Sequence, residues 1–141
     1  MSFIEKPLDE IEEKTYGPKG LYDVVVSKAD DKMDGEFRKG MLLIIDITKA
    51  PAGTNVEELN NILHNLSLPL PTDEESKAQN KLRFFKRFCY AFGVDTKGKK
   101  SSDFKPTDFI GKKAKGIQVD TKVYEGKTSN VLILPEVPKG K

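Results

Sequence analysis

The run from Lys112 to Leu134 holds two strand-like stretches around a Tyr124-Glu125-Gly126-Lys127 turn, and it constrains the fold more than any other part of the chain. Apolar Ile117, Val119 and Val123 alternate with Gln118, Asp120 and Lys122, which is the period of a half-buried strand. Val131-Leu132-Ile133-Leu134 is its more buried successor. Lys112, Lys113, Lys115, Lys122 and Lys127 border this hairpin, and Tyr124 sits at its tip. Lysines along an exposed strand can simply keep it soluble. The same residues can also track phosphates while the ring stacks a base without demanding a sequence. On this segment alone both uses stay open.

At 141 residues, 37% hydrophobic and 33% charged, the chain can bury one core but not two. Its net charge of +2 hides an asymmetry: residues 1–70 carry 8 Lys/Arg against 13 Asp/Glu, and residues 71–141 carry 16 against 9. The basic second half is therefore where a polyanion would be held. The lone Cys89 cannot form an internal disulfide, which suits a reducing compartment. No apolar run is long enough to span a bilayer and no charged-then-apolar leader is expected, so the protein is expected in the cytoplasm.

Residues 1–20 form an acidic segment punctuated by Pro7, Gly17, Pro18 and Gly20, expected to be only partly ordered. Leu21–Ser27 and Met41–Thr48 are rich in β-branched residues and read as two strands of an antiparallel hairpin. Its charged tip, with an Asp34-Gly35 turn signal, carries Lys28, Lys32, Phe37, Arg38 and Lys39. Residues 57–69 are ambiguous: Leu59, Ile62, Leu63 and Leu66 fit a helix, while Ile62, His64, Leu66 and Leu68 fit a strand. Thr72-Asp73-Glu74-Glu75 reads as a capping box opening a helix over 73–92, with Leu82, Phe85, Cys89 and Phe92 on its apolar face and Gly93 as its stop. Lys81, Arg83, Lys86 and Arg87 make its other face basic, and aromatic residues at this density belong more often to a core than to a ligand platform. Residues 97–102 read as a polar loop, 106–109 as one helical turn, and 138–141 as a frayed end.

Residues suited to catalysis are sparse. His64 is the only histidine, with no neighbouring Cys or Gly-flanked Ser, and Cys89 falls on an apolar helix face. Asp30-Asp31 lies near a hairpin tip, and Asp73-Glu74-Glu75 is accounted for by capping; neither has metal-ligand spacing. Gly-rich phosphate loops are absent. An enzyme, a metal site and a cofactor are therefore not expected.

The order Gly17-Pro-Lys-Gly-Leu-Tyr-Asp-Val-Val-Val26, the strand from Gly40, the helix Leu82–Gly93, the step Asp108-Phe-Ile-Gly-Lys-Lys113 and the turn Tyr124-Glu-Gly-Lys-Thr-Ser-Asn-Val131 resembles a family of small phage-encoded single-stranded DNA-binding proteins with an OB-like fold. The resemblance covers about Gly17 to Pro135. It implies a third strand over 60–68, and hence a mostly β, five-stranded OB-like barrel over 21–137 with one helix between strands three and four. It also implies a non-catalytic protein that coats displaced single strands during phage DNA replication or recombination in the host cytoplasm. The expected DNA-binding residues are Lys28, Lys32, Phe37, Arg38, Lys39, Lys112, Lys113, Lys115, Lys122, Tyr124 and Lys127. Many such proteins end in an acidic tail that recruits replication or recombination partners; here the corresponding candidate is Asp9-Glu10-Ile11-Glu12-Glu13. The competing expectation is a phage adaptor or assembly protein that uses the same barrel, with Phe37 as an interface aromatic.

Overall fold

Alternation of β-branched and polar residues decides the architecture seen in the computed structural model, which describes residues 9, 13–34 and 39–139, the side chains of residues 32–34 excepted. Five strands form one antiparallel sheet: β1 (Gly20–Asp34), β2 (Lys39–Lys49), β3 (Ile62–Ser67), β4 (Lys113–Tyr124) and β5 (Lys127–Ile133). One helix, α1 (Glu75–Ala91), lies between β3 and β4. The spatial order is β3-β2-β1-β4-β5. The two edges, β3 and β5, approach each other with no ladder between them among the described residues, so the sheet curls toward an OB-like barrel that stays open along one seam.

Every strand feeds one face into the core. Tyr22, Val24 and Val26 of β1, Met41, Leu43, Ile45 and Ile47 of β2, Ile62 and Leu66 of β3, and Ala114, Ile117 and Val119 of β4 are buried. The ambiguous segment is a strand because its pairing with β2, from Gly40 opposite Ser67 to Ile45 opposite Ile62, places Ile62 and Leu66 on that face. On the remaining side, Phe85, Phe88 and Phe92 from α1 and its end meet Phe104 and Phe109, which follow two short 3-10 turns, Ser101–Asp103 and Pro106–Asp108. Phe88 stacks on Phe92 at 4.2 Å between centroids and stands edge-on to Phe109 at 5.9 Å. Such ring pairs contribute about 0.5–1.5 kcal/mol beyond their area burial.

Several expectations are corrected. The capping box does not form: Glu74 is the N-cap with no side-chain cap, and the Asp73 carboxylate accepts from the Leu70 N–H at 2.8 Å and from the Lys81 ammonium at 2.7 Å. The Leu70 N–H foremost, with Lys81 next, holds the Asp73 pKa below its ordinary value. Leu82, expected on the apolar face, is exposed, and Phe88 takes its place in the core. Val123 was expected inside its strand, yet it is 66% exposed. β1 ends its pairing with β4 at Gly20 opposite Val119, so the β4–β5 ribbon runs on past the core.

Residues 13–19 seal one end of the open seam. The Thr15 N–H donates to the Glu58 carbonyl at 2.9 Å, and the Asn60 N–H to the Thr15 carbonyl at 2.8 Å. Across the gap, buried Asn130 of β5 clamps Gly17, accepting its N–H at 2.9 Å and donating to its carbonyl at 3.0 Å. A side chain at Gly17 would run into the Tyr22 hydroxyl, which itself donates to the Pro18 carbonyl. Residues 1–8 and 10–12, including most of the acidic recruiting candidate, lie outside the described residues, as do Gly140 and Lys141 of the expected frayed end.

Candidate nucleic-acid interface

A bulge at Gly116 sets which way the β4 lysines face. Tyr22 pairs with Ile117 and Val24 with Ala114, so one β1 residue stands opposite two on β4. Gly116 takes φ 61°, the left-handed conformation that a glycine adopts without a Cβ penalty. Its N–H, displaced from the ladder, donates to the Asp23 carboxylate at 2.8 Å. The extra residue keeps Ala114 and Ile117 both inward at a spacing of three and leaves Lys113 and Lys115 exposed. Lys112 joins them: its carbonyl accepts from the Val26 N–H at 2.9 Å. Lys28, two residues beyond Val26 and opposite Ile44, is exposed as well.

The β4–β5 hairpin forms a second group. Glu125 and Gly126 both take positive φ, 51° and 77°, the two-residue turn whose twist matches that of the strands it joins. Tyr124 pairs with Lys127 and Lys122 with Ser129, so the period of two places Lys122, Tyr124 and Lys127 on one face of the ribbon. Tyr124 is 69% exposed and therefore does not plug the barrel. Among the described residues, no carboxylate oxygen lies within 4.0 Å of the Lys112, Lys113, Lys115, Lys122 or Lys127 ammonium, whereas Lys19 is paired with Asp120 at 3.9 Å.

The expected residues thus fall into separate groups. Lys115 and Lys122 are seven positions apart on β4, or about 24 Å of strand. Lys39 opens β2 beside Asp34, at the far end of β1 from the β4–β5 ribbon. Phe37 and Arg38 lie outside the described residues, as does the Lys32 side chain. The outer face of β1, β2 and β3 shows Val25, Leu42, Ile44 and Leu63, with no ring among the described residues, and Leu63 is 60% exposed.

Exposed rings stand instead on α1, where sequence reasoning placed a core. Phe84 and Tyr90 are exposed, with the Arg87 guanidinium 5.2 Å from the Phe84 centroid. The available signal was their position off the Phe85, Cys89 and Phe92 stripe.

Of the two groups suited to nucleophile or acid–base work, one is built into the core and the other is half-buried against it. Cys89 is fully buried, and burial pushes its thiol up to about 12. His64 stacks on Phe88 at 4.9 Å, and burial pushes its imidazole down to about 4. An unfolded histidine titrates near 6.5, so between that pH and about 4 the unfolded chain takes up a proton that the folded chain refuses. Stability contributed by neutral His64 is present above pH 6.5 and falls away as pH drops toward 4, by up to about 3 kcal/mol. Urea unfolding of the native protein and of His64→Phe, which keeps a ring against Phe88, isolates this contribution. The difference between the two curves is expected to grow from pH 6.5 to 4, and a flat difference would refute the assignment.

No family model matches this chain, and no match to it is found among curated proteins.

Proposed function

We propose that this protein binds single-stranded DNA without sequence preference, coats displaced strands during phage DNA replication or recombination in the host cytoplasm, and performs no chemistry of its own. The observation that carries this reading is the hairpin face bearing Lys122, Tyr124 and Lys127, where an exposed ring stands between two cations whose ammonium groups have no carboxylate within 4.0 Å among the described residues. Lys112, Lys113 and Lys115 form a second exposed cationic group near the start of β4. A ring in that setting stacks bases of any identity, and the lysines neutralise phosphates.

The test is a titration of labelled oligo-dT in stepped salt with single- and double-stranded competitors. Binding that falls steeply with salt and is displaced by single strands of any sequence supports the reading; no binding at low salt removes it. Tyr124→Ala is expected to weaken oligo-dT binding by about 1–3 kcal/mol. Its melting temperature is expected to stay near that of the native protein, because the ring is exposed. An early-melting variant that binds normally when folded would place Tyr124 among structural residues.

The adaptor reading draws on a different observation, the outer face of β1, β2 and β3, which carries no ring among the described residues and has Leu63 exposed at its edge. Leu63→Lys leaves DNA binding intact under the first reading and abolishes partner capture under the second.

A further inference from the structure

A groove of ≈ 760 Å³ runs along α1 and is lined by Leu82, Lys86, Tyr90, Lys97, Lys99 and Val137 among others. Its surroundings are strongly basic: residues 81–105 hold eight Lys/Arg against two Asp. Of these cations Lys81 is paired with Asp73 at 2.7 Å and Arg87 with Glu136 at 4.0 Å, and Asp95 itself lines the groove. Asp95 accepts the Lys97 backbone N–H at 3.0 Å, and Asp103 accepts the Lys100 backbone N–H at 2.8 Å. Among the described residues, no carboxylate oxygen lies within 4.0 Å of the Lys86, Lys97 or Lys99 ammonium. Lys99 is held by its ammonium 5.6 Å from the Phe104 centroid, which leaves its charge available to a ligand.

Tyr90 connects this groove to the β4 lysines. It is 45% exposed, and it lines both the α1 groove and a neighbouring one formed with Lys115, Gly116 and Gln118. A polyanion lying on Lys115 therefore meets Tyr90 next, and beyond it the cations of the α1 groove.

We propose that the single strand continues from Lys115 across Tyr90 into the α1 groove, with a base stacked on Tyr90 and phosphates held by Lys86, Lys97 and Lys99. This rests on the single-stranded DNA reading and extends it to a face of the molecule separate from the β4–β5 hairpin. A polynucleotide fits better than an acidic peptide because the cations flank an exposed ring and the apolar Leu82 and Val137, the pairing of charge and stacking surface that alternating phosphates and bases require.

The test compares native protein, Tyr90→Phe, Tyr90→Ala and the triple variant K86A/K97A/K99A on labelled oligo-dT of increasing length in stepped salt. Tyr90→Phe is expected to bind as the native protein does, and Tyr90→Ala about five- to 150-fold more weakly. The triple variant is expected to lose about two from the slope of log affinity against log salt. Both deficits are expected to grow with oligonucleotide length, because a short strand is satisfied by the hairpin alone. All substituted side chains are partly or fully exposed, and thermal melts check that each variant is folded. Variants that match the native protein in affinity and slope at every length overturn this proposal while leaving the hairpin reading in place. Native protein that binds no oligo-dT removes both. Poly-glutamate that competes with oligo-dT for the native protein, but not for the triple variant, would reassign the groove to an acidic peptide and overturn it.

Discussion

Phe88→Ala is expected to remove about 3–5 kcal/mol of unfolding free energy, a large part of the about 5–15 kcal/mol typical of a domain. Phe88 is fully buried and holds together parts of the chain that are far apart in sequence. It lies face to face with Phe92 at 4.2 Å and with His64 of β3 at 4.9 Å, and its edge meets Phe109 just before β4. Alanine would leave a ring-sized void among side chains fixed by the sheet and the helix, with little room for collapse. Urea unfolding measures the loss, and Phe84→Ala on the exposed side of the same helix is the control, expected to stay within about 0.5 kcal/mol. A Phe88→Ala loss below about 1 kcal/mol would mean that the aromatic cluster does not bind the helix to the sheet.

The same helix shows what could be read from the chain and what could not. Its burial of Phe85, Cys89 and Phe92 follows from spacing alone, because a 3.6-residue period is a local property. Its N-terminus was misread for an equally local reason. Thr72 to Glu75 has the pattern of a capping box, yet Asp73 is drawn to Leu70 and Lys81, so that hydrogen bonds outside the motif decide the cap. Residues 57–69 could not be assigned from periodicity because two templates fit them. The choice is made by β2, whose buried Leu43 and Ile45 need a neighbouring strand, and that is a long-range contact. Val123 illustrates the opposite error: the alternation was right, but the strand that would have covered it ends at Gly20.

The candidate interface was legible in composition and not in arrangement. That Lys122 and Lys127 face solvent follows from the period of two and the turn. Lys113 and Lys115, in contrast, share the parity of buried Ile117 and Val119 and are turned outward by the bulge, and the spacing left Tyr124 open between exposure and the barrel end. Their division into groups depends on the Gly116 bulge and on the offset between β1 and β4, both of which are products of pairing between distant segments. Tyr90 and Phe84 were assigned to the core by aromatic density, although their angular position on the helix set them apart.

Replacing Lys112, Lys113, Lys115, Lys122 and Lys127 together with alanine is expected to flatten the salt dependence of oligo-dT binding by about 3.5 log units per log salt, at roughly 0.7 for each phosphate contact released. Taking equal affinities at about 1 M salt, the same arithmetic gives at about 0.1 M a loss of affinity of roughly three-thousandfold. The fold should survive, because all five side chains are exposed and no carboxylate among the described residues depends on them. Dividing the variant separates the groups: Lys112, Lys113 and Lys115 at the start of β4 should account for about 2 of the slope and the hairpin pair Lys122 and Lys127 for about 1.4. A strand that follows both groups loses each contribution independently, so the two partial variants should sum to the whole. If the hairpin pair alone changes nothing while the set at the start of β4 removes its full share, the strand leaves β4 toward the helix without reaching Tyr124. A folded fivefold variant with an unchanged slope would move the interface off β4 altogether.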